Sequence, residues 1–104
     1  MSTNAWLRMP RALVRELVSY SMVSGGIGPR TDNLLRTIVS VVCELSVKTV
    51  HVDESPQRRT RTAHIVIAAQ DADRFALLFP DAARLRDPAP ELVAFRISTL
   101  RRAS

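Results

Sequence analysis

A chain of 104 residues that is 46% hydrophobic and 24% charged has enough apolar content for one folded core and too little length for two, which excludes disordered and multidomain proteins. No apolar run approaches the about 18 residues of a membrane-spanning helix, so a soluble protein is expected. Fifteen basic residues against ten acidic ones leave a net charge of +5, a balance that favours polyanionic partners such as nucleic acid or an acidic protein surface. Lys48 is the single lysine and the other fourteen basic residues are arginine. A GC-rich genome accounts for that ratio equally well, but not for the net charge, and guanidinium is the better group for two-pronged contact with phosphate.

The first 24 residues are amphipathic and carry Glu16 as their one acid, as organellar leaders do. Pro10, however, stands where a helical period begins, which suits a folded helix start. Leu13, Val14, Leu17, Val18 and Met22 recur at three- and four-residue spacing and predict a helix after a short extended lead at residues 4–9. The segment SGGIGPR, residues 24–30, holds all three glycines and breaks the chain. A second helix is expected from a cap at Thr31 or Asp32, with Leu34, Leu35, Ile38, Val41, Val42 and Leu45 on one side. The β-branched run IVSVV makes a strand its competitor, and the spacing favours the helix.

From Ser46 the period becomes two. Val50 and Val52 share one face of a strand, Thr49, His51 and Asp53 the other. After the hairpin SPQRRTRT, a returning strand turns Ala63, Ile65, Ile67 and Ala69 inward and Thr62, His64 and Val66 outward. Asp71 is expected to cap a helix carrying Phe75, Leu78, Phe79, Ala82 and Leu85, kinked by Pro80 and ended by DPAP at 87–90. A last strand alternates Val93, Phe95 and Ile97 inward with Arg96 and Ser98 outward. The order is two N-terminal helices followed by β-β-α-β, an α+β class with an antiparallel sheet and helices on one face. It becomes ferredoxin-like if residues 4–9 form a strand.

Cys43, alone and inside an apolar helical run, reads as a buried structural thiol. A reducing, cytoplasmic setting is the expectation. GGIG lacks a following GK[ST] and heads no dinucleotide-binding unit, so it reads as a turn whose helix start and Arg30 could receive an anion. RRAS at the end has arginine spacing that basophilic kinases accept, in a terminal position where chance matches are common. Matching the apolar faces of the hairpin strands puts His51, Asp53 and His64 together on the outward face, with His51 directly opposite His64 in one allowed register. Two imidazoles and a carboxylate are weak candidates for a metal site or acid-base chemistry. They sit on an open sheet rather than in a cleft, so no cofactor and no catalytic residue is expected.

The basic side chains are more telling. Arg8, Arg11 and Arg15 form a stripe on the first helix, Arg58, Arg59 and Arg61 crown the hairpin, and Arg96 lies on the open face between them. The run of helix, strand, basic arm and strand from Thr31 to Ala69 resembles, in order and charge, the corresponding part of Alba-type chromatin and RNA-binding proteins. It covers under half of the chain and carries no shared residue motif. The expected function is non-enzymatic binding of a nucleic-acid backbone. Two other classes stand beside it: an interaction or inhibitor protein of the kind phages and mobile elements carry, and a structural subunit of a homo-oligomer, a homodimer among them.

Overall fold

The structure is a computed structural model that describes residues 9–55, 57 and 60–100. Helix α1 spans Arg11–Ser24 and helix α2 spans Pro29–Thr37. The second helix begins earlier than expected because Gly28, at φ 152°, turns the chain and Pro29 takes the first helical position. Thr31 and Asp32 therefore do not cap it. The hydroxyl of Thr31 instead donates to the carbonyl of Gly26, and Asp32 reaches the sheet. The run IVSVV is helical but widened, Ile38–Val42 forming a π-turn in which the Cys43 N–H donates to the Ile38 carbonyl at 3.1 Å. Four β-branched side chains in five positions crowd a normal turn. Glu44, at φ 55°, then ends the segment.

Strands β1 (Val47–Ser55) and β2 (Thr60–Ala68) form the expected hairpin, and β4 (Leu92–Leu100) pairs antiparallel with β2. Helix α3 is shorter than expected, Ala72–Leu78. Pro80 does not kink it but stops it, since the residue before a proline is forced out of the helical region and Phe79 sits at φ −128°, ψ 73°. Leu85, assigned to that helix from spacing, donates its N–H to the Ala94 carbonyl at 2.8 Å, beside a two-residue strand β3 (Ala83–Arg84) that the sequence did not announce. The four strands lie in the order β1-β2-β4-β3, all neighbours antiparallel. The fold is α+β. The ferredoxin-like variant depended on residues 4–9, of which 4–8 lie outside the described residues, and Met9 is not in a strand.

The core lies between the sheet and its helices. Val52, Ala63, Ile65, Ile67, Val93 and Phe95 are buried against Val14, Val18, Met22, Leu35, Val39 and Phe75, each large side chain contributing about 1.5–3 kcal/mol. Phe75 stacks on Phe95 at 4.3 Å between centroids and meets Phe79 at 4.9 Å. The opposite face of the sheet has no buried residue along the described strands. Among the described residues no helix is long and apolar enough to cross a membrane.

Candidate nucleic-acid interface

The arginines divide into those engaged by the fold and those left to the surface. Neither α1, the π-turn nor α3 has a basic residue in its last turn to answer its terminal carbonyls. Each is served instead by an arginine from a distant element. Arg61 of β2 donates to the Met22 carbonyl at 2.6 Å and to the Gly25 carbonyl, closing α1. Arg74 of α3 donates to the Cys43 and Glu44 carbonyls, both at 3.1 Å, closing the second helix. Arg15 of α1 donates to the Leu78 carbonyl at 3.3 Å, closing α3.

Two α2 side chains cover the free edge of β1. Asp32 accepts the Val52 N–H at 2.9 Å, and Arg36 donates to the Lys48 carbonyl at 3.0 Å. Asp71, in place of capping α3, accepts the Ser46 N–H at 2.8 Å. Polar side chains thus guard an edge that would otherwise be open to strand addition. These roles of Asp32, Arg36, Asp71 and Arg74 left no mark in the sequence pattern, because their partners are backbone groups far along the chain.

Arg61 corrects an expectation. Placed on the hairpin crown, it is 4% exposed and points inward. It has the same parity as Ala63 and Ile65, so the alternation that fixed those residues also fixed Arg61. Its Nε lies 3.6 Å from the Glu54 carboxylate, an ion pair longer than a hydrogen bond. Arg15 is half-buried, and Arg11 and Arg30 are exposed with no hydrogen-bond or ion-pair partner among the described residues. Arg11 and Arg15 of the α1 stripe lie on the helix side of the sheet and Arg96 on the other, so they do not line one groove. Arg8, Arg58 and Arg59 lie outside the described residues.

The open face holds what the sequence placed there. His51 is directly opposite His64, and His64 is directly opposite Arg96, a row across three strands. Neighbours in such a row have Cβ atoms roughly 5 Å apart. In the next row Thr62 and Ser98 pair, their hydroxyl oxygens 3.3 Å apart. Arg96 is exposed and without a hydrogen-bond or ion-pair partner among the described residues.

His51 is pinned from both sides, Nδ1 lying 3.2 Å from Asp32 Oδ2 and Nε2 2.8 Å from Asp53 Oδ1. Both partners only accept, so the doubly protonated imidazolium is the form that satisfies both contacts. The hydrogen bond to Asp32, with the charge of Asp53 behind it, raises the pKa of His51 above the ordinary histidine value. Asp53 reaches the second ring as well, its Oδ2 lying 3.8 Å from His64 Nε2. Among the described residues no three His, Cys, Asp or Glu side chains are placed to hold a metal ion. Cys43 is buried, and desolvation pushes its thiol up to about 11, the reverse of what a nucleophile needs.

No family model, curated protein or solved structure matches this chain. Its own geometry is what bears on function.

Proposed function

We propose that this is a small, basic, non-enzymatic nucleic-acid-binding protein that contacts the phosphate backbone from the hairpin end and open face of its sheet. The observation that carries this is the pairing of Thr60 with Leu100. Arg58 and Arg59 immediately precede Thr60 and Arg101 and Arg102 immediately follow Leu100, so four arginines are covalently tethered to one end of the sheet. Arg96 stands on the adjoining face without a partner among the described residues. Guanidinium groups suit phosphate and carry no base preference.

The test is binding of mixed-sequence duplex and single-strand probes across a salt series. Replacing Arg58 and Arg59 together by alanine is expected to flatten the log–log salt slope on duplex by about 1.8, or about 0.9 for each phosphate no longer neutralised. Absence of binding at low salt overturns the proposal. A protein partner is the second reading, favoured by apolar side chains left exposed on the helix layer, Leu13 and Tyr20 of α1 and Leu34 of α2. It predicts that removing those side chains, rather than the arginines, abolishes capture of the partner.

A further inference from the structure

Asp53 is an anion already seated against two imidazole rings. Its two oxygens face His51 at 2.8 Å and His64 at 3.8 Å, on strands whose register carries the row on to Arg96. More than half of each side chain in the Asp53–His51 pair is exposed, so the carboxylate sits at the surface of the cluster and not beneath it. An exposed ion pair of this kind is weakly held. A phosphate oxygen carries the same charge and accepts the same hydrogen bonds, and the Thr62 and Ser98 hydroxyls stand in the neighbouring row to donate to it.

We propose that His51, His64 and Arg96 form a phosphate-binding row on the open sheet face, and that Asp53 occupies it as an internal counter-anion which a nucleic-acid phosphate displaces. This rests on the nucleic-acid function proposed above and names the surface that performs it. Asp32 holds the far side of His51 and keeps its ring in the row whether or not Asp53 has moved. The carboxylate also makes the empty face less sticky, since every binding event must first release it.

The experiment measures affinity for the duplex and single-strand probes at low salt in the wild type, Asp53→Asn, and Glu16→Gln. The last removes the same charge from an exposed position on α1, on the helix side. Asp53→Asn is expected to bind about two- to fivefold more tightly, the worth of an exposed ion pair, and Glu16→Gln to match the wild type. The gain should disappear when His51→Ala and His64→Ala are both added, and shrink with either alone, because Asp53 faces both rings. Asp53→Ser repeats the measurement should the asparagine variant be unstable. If the wild type binds but Asp53→Asn gains no more than Glu16→Gln, the phosphate row is overturned and the proposed function stands. If neither the wild type nor Asp53→Asn binds, both fall.

Discussion

Arg61 and Arg96 stand on neighbouring strands of one sheet and face opposite sides of it. Arg61 points under the helices, where the Met22 and Gly25 carbonyls at the end of α1 take its guanidinium. Arg96 points away from them, beside His64, with no partner among the described residues. The helix-covered face uses arginine as a structural donor, and the open face leaves it exposed. A count of arginines thus overstates the charge available to a partner, since Arg15, Arg36, Arg61 and Arg74 all bind backbone carbonyls.

The largest effect that bears on this contrast is on stability. Arg61→Ala leaves the Met22 and Gly25 carbonyls at the end of α1 without their buried donor, and is expected to cost about 2–3 kcal/mol. Chemical denaturation reads this directly, and a loss under about 1 kcal/mol, the range of an exposed pair, would show that Arg61 does not hold α1 to the sheet. Arg96→Ala is expected to do the reverse. Its unfolding midpoint should match the wild type, while the salt slope of nucleic-acid binding flattens by about 0.9. A stability loss with an unchanged slope would place Arg96 in the same class as Arg61.

The smallest effect concerns how the two regions are joined. His51 links Asp32 on α2 to the open face, and its pKa is raised in the folded chain. Its stabilisation is therefore full below the unfolded value of about 6.5 and is lost as pH rises through the folded one. The difference in denaturation midpoint between wild type and His51→Asn should be visible at about pH 6 and shrink as pH rises through the folded value. A difference independent of pH would mean that His51 contributes by packing and not by charge.

Much of the fold could be read from the chain. The period-two alternation of Val50 and Val52 against Ala63, Ile65 and Ile67 put His51, Asp53 and His64 on one face, and the folded hairpin took, among the allowed registers, the one that sets His51 opposite His64. The same rule put Arg61 inward, but the density of arginines around it suggested a solvated crown, and a buried guanidinium is costly unless a partner is known. The α3 boundary failed for a local reason: apolar spacing continues through Ala82 and Leu85, and Pro80 outweighs it by removing a helical hydrogen bond.

The strand faces, the glycine break, the open polar side of the sheet and the excess of positive charge are all written in the amino-acid order, because each depends on neighbours within a few residues. Which arginines are free was settled only when the chain folded on itself. Arg15 lies 63 residues from Leu78, Arg61 39 from Met22 and Arg74 31 from Cys43. A helix ends with carbonyls that its own backbone cannot satisfy, and whichever donor the fold brings within reach will take them. No local pattern encodes that meeting.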